Sequence, residues 1–330
     1  MCANRISRRA SIEELLSSFQ REFNLNPSRP LFKITYKQPP TWPISLSKPD
    51  HKKPIRIAVL DSSFNPPTKA HLQLIMKSVT NIHFQNNQPV TIQIPEKQRQ
   101  IKEQPSEFFD ACLLLFAIKN ADKMVTSSDA SIVDRISMME ALASYIRSTA
   151  QSDSLTAALQ NLAVGVTTHP IFTDKARAIL TSLSKSSDNP SQSFSLYFIM
   201  GYDTIIRFFN PKYYTNMPEE LASFFETNSI ICANRQGYGG EEAEEQFFCS
   251  EIFKEIVGGG EESGKKVIRI KLDDEIAKMS STRVREILIN MKNEEEVKEH
   301  QVKIRNALLD LCPEPIVDFV IQEGLYRKVC

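Results

Sequence analysis

Two stretches of this 330-residue sequence carry side chains suited to holding phosphate. The first reads Asp61-Ser62-Ser63-Phe64-Asn65-Pro66-Pro67-Thr68-Lys69-Ala70-His71-Leu72. It lies between an apolar run at 55–60 and a helical pattern at 70–79. Where a buried strand runs into a helix N-terminus, free amides and the helix dipole attract anions. Thr68 and His71, three residues apart, share one face of that first turn. A hydroxyl and an imidazole there can donate hydrogen bonds to charge developing on a nucleotide's phosphates. Taken alone, a Thr-x-x-His is as well read as an N-cap with a surface histidine. The second stretch, Lys278-Met279-Ser280-Ser281-Thr282-Arg283-Val284-Arg285, again joins a strand to a hydroxyl-rich helix start. Arg285 lies one turn on from Ser281, where a guanidinium can grip two phosphates. Between them, Gly201-Tyr202-Asp203 follows a third apolar run. Gly201 allows close approach of backbone to a ligand, and Asp203 can accept from ribose hydroxyls.

The first stretch resembles the G-S-F-N-P-x-T-x-x-H-L signature of the nicotinamide mononucleotide adenylyltransferases, members of the H/T-x-G-H nucleotidyltransferase superfamily. The second resembles that family's I-S-S-T-x-x-R, with Met279 in place of isoleucine. The Asp-Ser-Ser-Phe-Asn-Pro-Pro opening and the Asn120-Ala121-Asp122-Lys123 segment are most similar to the divergent fungal branch known as promoter of filamentation. The resemblance runs from about residue 55 to 327. It implies a Rossmann-like α/β fold, a parallel sheet with helices on both faces. It further implies adenylyl transfer from ATP to a mononucleotide, giving NAD and pyrophosphate. His71 and Arg285 take the catalytic positions. Ser62, Ser63, Phe64, Thr68, Lys123, Ser280, Ser281 and Thr282 line the ATP phosphates, while Gly201 and Asp203 hold the nucleotide. Arg135 stands where relatives carry an arginine. Two departures matter: Ser62 replaces a glycine, and the only tryptophan, Trp42, lies outside the expected domain. Phe172 is the candidate to stack the acceptor base in its place. Mg²⁺ is expected to arrive with ATP, because no motif supplies a carboxylate cage for a resident metal. A nucleotide-binding regulatory protein built on the same pocket, or a transferase with another acceptor, remains the alternative.

These motifs need a scaffold, and the hydrophobic pattern supplies one. Strands are expected at 55–60, 111–118, 162–167, 194–200, 229–233 and 267–272. Helical spacing alternates with them at 70–79, 132–147, 172–183 and 219–225, then from 281, from about 293, and at 313–322. Such alternation argues for a parallel sheet covered on both faces. Residues 1–53 read as a partly disordered arm, with a helix at 11–23 capped by Ser11 and then a proline-rich stretch. In that arm Arg8-Arg9-Ala10-Ser11 also fits a basophilic kinase site. Residues 54–330 read as one nucleotidyltransferase domain with flexible insertions at about 81–105 and 237–264. The latter holds seven of the ten glycines and eight glutamates, too little apolar surface to bury, with 245–256 open to a surface helix.

Composition narrows the partners. A formal net charge of zero gives no bulk attraction for nucleic acid or an acidic membrane. The six cysteines form no Cys-x-x-Cys pair, which favours a reducing compartment, cytoplasm or nucleus, over a disulfide framework or zinc site. The longest apolar run, 111–118, is too short to span a bilayer. The basic start at 1–10 is not followed by the apolar stretch of a secretory signal. Homo-oligomerisation and a regulatory partner bound through the arm stay open.

Overall fold

The computed structural model describes residues 2–26, 31–44, 53–85, 88–91, 107–118, 129–150, 155–187, 189–289 and 294–327. The chain begins with α1 (Cys2–Leu25), β1 (Phe32–Gln38), β2 (Ile55–Asp61), α2 (Lys69–Asn81) and the hairpin β3 (Ile82–Gln85) and β4 (Gln88–Thr91). There follow β5 (Ala111–Ala117), α3 (Ile132–Thr149), α4 (Ala157–Gln160), β6 (Leu162–Thr167), α5 (Phe172–Ser186), β7 (Phe194–Gly201) and α6 (Tyr202–Phe208). Next come α7 (Met217–Thr227), β8 (Asn228–Ala233), α8 (Gly240–Phe248), α9 (Glu251–Val257), α10 (Glu261–Lys266) and β9 (Val267–Ile270). The chain closes with α11 (Asp274–Ala277), α12 (Ser281–Ile289), α13 (Glu294–Leu311) and α14 (Glu314–Gln322).

Among the described residues, seven strands form one sheet in the order β1-β6-β5-β2-β7-β8-β9. All neighbours are parallel except β1, which runs antiparallel to β6 at the edge. The six parallel strands are near-continuous apolar runs, as strands covered on both faces must be. Their alternation divides two cores. Ala58 and Leu60 of β2 face one side, where α1, α2, α3 and α14 pack. Ile57 and Val59 face the other, against α5, α6, α7 and α9. The chain builds outward from β2 through β5 to β6, then returns to build outward from β7 through β8 to β9. The order therefore reverses between β2 and β7, and a crevice opens there at the strands' carboxyl ends.

Four expectations change. The proline-rich stretch does form regular structure: between Pro30 and Pro39 the run Phe32-Lys33-Ile34-Thr35-Tyr36-Lys37 is proline-free and alternates apolar with polar, so it adds β1 to the sheet edge. Helix α1 begins at Cys2, so Ser11 lies inside it and is not its cap. Trp42 is buried in the core, its Nε1 donating to the Cys112 carbonyl at 3.0 Å. Cys112 is at the start of β5, the far end of the sheet from the crevice. The glycine- and glutamate-rich segment folds into α8, α9 and α10, because Phe253, Ile256 and Val257 are spaced to share one face and are buried on the sheet. The expected insertion at 81–105 begins as the β3–β4 hairpin, and 92–105 lie outside the described residues.

Candidate active site

Strand β2 delivers Ser62 to the switch point, and its register with β7, Leu60 opposite Ile199, carries Gly201 out beside it. The turn between β2 and α2 is tight. Phe64 adopts a left-handed backbone, φ 45°, while its ring is wholly buried. That conformation costs about 1–2 kcal/mol for a residue with a Cβ, and burial of a phenylalanine offsets it. Strain of this kind gathers where a backbone must present itself to a ligand. The Phe64 ring lies 5.1 Å from that of His71.

Helix α2 opens on a reciprocal cap. The Thr68 backbone N–H donates to His71 Nδ1 at 2.9 Å, and the Thr68 hydroxyl sits 2.9 Å from the same nitrogen. An acceptor Nδ1 leaves the ring proton on Nε2, which faces Ser62 Oγ at 2.9 Å. Burial, with the nearby charge of Arg235 adding to it, lowers the His71 pKa from 6.5 to about 4. His71 is thus a neutral donor throughout the physiological range. Its capping role and a phosphate-facing role coexist, because they use different ring nitrogens.

The second motif closes on the first. Ser281 Oγ donates to the Pro66 carbonyl at 2.7 Å, and Arg285 Nη1 donates to the Asn65 carbonyl at 2.7 Å. Arg285 Nη2 also reaches Thr282 Oγ1 at 3.3 Å. These bonds use two of the guanidinium's five donors. Ser280 Oγ accepts from the Arg283 amide at 3.3 Å and so caps the first turn of α12. Asn65 anchors the turn from below. Its amide donates to Asp129, and its Oδ1 accepts from the Ala130 amide at 3.1 Å and the Tyr326 hydroxyl at 2.9 Å. Arg135 is buried, holds the Ala130 carbonyl at 3.0 Å and pairs with Asp129 at 3.5 Å. It supports the loop that grips Asn65.

On the β7 side, a Cβ at Gly201 would stand 2.6 Å from Asp203 Oδ1, so a side chain there would push the Asp203 carboxylate aside. Asp203 accepts from Arg207 at 3.2 Å. Ser63 is half-buried in the same turn as Ser62. Phe172 packs edge-on against Phe198 and Phe208, with centroids 5.6 and 5.8 Å away, so its ring is partly committed to the core. Lys123, with Asn120, Ala121 and Asp122, lies outside the described residues.

Two groups at this end escaped the sequence reading. Arg235 lies two residues past the end of β8 and donates to the carbonyls of Ala277 and Met279, at 3.2 and 2.9 Å, behind the second motif. Its position two residues past a strand's carboxyl end was the available signal. Lys175 of α5 pairs with Asp61, both nearly buried, and its ammonium lies 4.4 Å above the Phe172 ring. A pairing 114 residues apart leaves no local pattern to read. The resulting crevice combines two helix N-termini, a neutral imidazole donor and two arginines, an arrangement that suits a polyphosphate.

No protein-family model matches the chain. A Schizosaccharomyces pombe protein bearing the name "Putative nicotinamide mononucleotide adenylyltransferase" is 28% identical over 261 residues, covering 78% of this chain and 85% of its own. Two solved structures of Plasmodium falciparum nicotinic acid mononucleotide adenylyltransferase, complexed with APC and with NaAD, superpose with TM-scores of 0.47 and 0.43. They are 14% and 16% identical, and each superposition covers 82% of this chain, with 96% and 97% of theirs. By its motifs and its fission-yeast relative, the chain is an enzyme of the nucleotidyltransferase type, similar to the nicotinamide mononucleotide adenylyltransferases.

Proposed function

We propose that the chain transfers the adenylyl group of ATP to nicotinamide mononucleotide, forming NAD and releasing pyrophosphate. The observation that carries this reading is the closure of the two motifs: Arg285 and Ser281 meet the turn that presents His71, at the sheet's switch point. An oxygen of the acceptor's phosphate attacks the α-phosphorus of ATP in line, and the bond from that phosphorus to the β-bridging oxygen breaks. The acceptor phosphate is already ionised near neutral pH, so the site needs no general base. Catalysis is then positioning and charge stabilisation. His71 Nε2–H donates toward the α- and β-phosphates, Arg285 and the start of α12 receive the departing pyrophosphate, and Asp203 holds a ribose. Among the described residues no three His, Cys, Asp or Glu side chains converge on a metal position. Mg²⁺, held on ATP's own oxygens, supplies charge screening.

The test is purified protein with ATP-Mg²⁺ and, separately, nicotinamide and nicotinic acid mononucleotide, scored for dinucleotide and pyrophosphate. His71→Ala is expected to slow transfer by roughly a hundredfold or more, as removal of a transition-state donor does. A His71→Ala enzyme turning over like wild type would remove that residue from the mechanism. One observation favours a second reading, a nucleotide-binding regulatory protein: Ser62 already occupies the His71 donor. Tight ATP binding with no product from any mononucleotide would select it.

A further inference from the structure

The sequence Arg8-Arg9-Ala10-Ser11 is left unused by nucleotide chemistry, and the structure removes its simplest explanation. Ser11 sits inside α1, not at its start, and is exposed. Its neighbours face the other way. Ile12 and Phe19 are each 1% exposed, and with Leu15, Leu16 and Phe23 they form the apolar stripe packed into the core on the α3 side. The two arginines complete the docking. Arg8 Nε and Nη2 donate to the Glu140 carboxylate of α3 at 2.8 and 2.5 Å, and Nη2 also reaches the Thr35 carbonyl of β1 at 2.5 Å. Arg9 donates to Asp134 at 2.6 Å. Glu140 and Asp134 are themselves almost buried.

We propose that Ser11 is a phosphorylation site for a basophilic serine kinase, and that its phosphate acts as a release for α1. The kinase transfers the γ-phosphoryl group of ATP to Ser11 Oγ; ADP leaves, and the hydroxyl proton passes to the kinase's base. A kinase of this class reads an extended segment through free guanidinium groups two and three residues before the serine. In the docked protein both guanidiniums are held by α3 and the segment is helical, so the site opens only when α1 lifts. A helix held by one buried stripe, with its other faces exposed, samples such local opening more readily than core strands. Once formed, the phosphate lies one turn from Arg8, close enough to take it from Glu140. It also lies one turn from Glu14, and that like-charge pair weakens the helix. Modification therefore holds α1 in the lifted state. The inference stands apart from the transfer reaction and does not depend on it.

The full chain is incubated with the catalytic subunit of cyclic-AMP-dependent protein kinase and ATP, sites are mapped by mass spectrometry, and amide exchange is followed. Ser11 is expected to be labelled in wild type, and about fivefold faster in Glu140→Gln, where Arg8 is loosened. Ser11→Ala should carry no label in residues 2–25. Exchange across residues 2–25 should quicken about tenfold on labelling, while residues 55–61 and 194–201 stay protected. Absence of label on Ser11 in both wild type and Glu140→Gln overturns the proposal. Equal labelling rates overturn the masking by Glu140, and labelling without faster exchange overturns the release. If Glu140→Gln does not fold, labelled against unlabelled wild type still decides both the site and the release.

Discussion

His71 carries its ring proton on Nε2, and in the free protein Ser62 accepts it. A phosphate must therefore displace Ser62 before His71 can act on it. One hydrogen bond is worth about 1 kcal/mol net, so Ser62→Gly is expected to raise kcat/KM about fivefold. An unchanged value in steady-state assays would mean the serine swings aside without cost. The same histidine makes stability depend on pH. Its pKa is about 4 in the folded state against 6.5 ordinarily, so below pH 6.5 the unfolded chain takes up a proton that the folded chain refuses. Stability from this group is complete above pH 6.5 and is lost as pH falls toward 4, by roughly 3 kcal/mol in all. Urea denaturation at pH 7, 5 and 4 should show that share of the slope disappearing in His71→Gln. An identical slope in both proteins would deny the depressed pKa.

Helices α8, α9 and α10 stand where composition argued for a loose insertion. Phe253, Ile256 and Val257 are buried, Tyr202 donates to the Ala243 carbonyl at 2.9 Å, and Phe247 and Phe248 pack against the same core. Each buried side chain of this size contributes roughly 1.5–3 kcal/mol. Replacing 240–264 with a short Gly-Ser linker should therefore lower Tm by about 10 °C or more, read by calorimetry. A Tm within two degrees of wild type, on this roughly 2–4 °C per kcal/mol scale, would mean the helices rest on the sheet without stabilising it. A surface helix at 245–256 was legible, but its burial on the core was not. The β2, β5, β6 and β7 runs were legible because a strand buried on both faces needs only apolar residues, and theirs are continuous. In α9 three apolar residues share a face among glutamates and lysine, so an average over the segment hides them. The short proline-free window of β1 was lost in the same way between its flanking prolines. In the site, His71, Thr68, Ser281 and Arg285 announced themselves through motifs. Tyr326 and the Asp61–Lys175 pair reach the crevice only through tertiary packing, which local spacing does not encode.

At the scale of the whole molecule, the phosphate turn is tied to the last quarter of the chain. Ser281 and Arg285 reach across 215 and 220 residues of sequence, and Tyr326 across 261, to hold Pro66 and Asn65. Tyr326→Phe removes one of these ties and leaves the Ala130 amide to satisfy Asn65. It is expected to cost about 1 kcal/mol of stability and to weaken ATP binding several-fold. Calorimetry and nucleotide titration read the two effects, and unchanged ATP affinity would show that the turn keeps its shape without the tyrosine. The same ties set an order of events during synthesis. Contacts between residues this far apart wait for the later partner to exist. At roughly 5–20 residues per second, a ribosome that has just made Ser62 needs on the order of 10–50 s more to reach Tyr326. Throughout that interval the β2 strand and its turn exist without their clasp. A half-made chain therefore has the sequence of a nucleotide site but not its shape, and the pocket cannot close before residue 326 has been made.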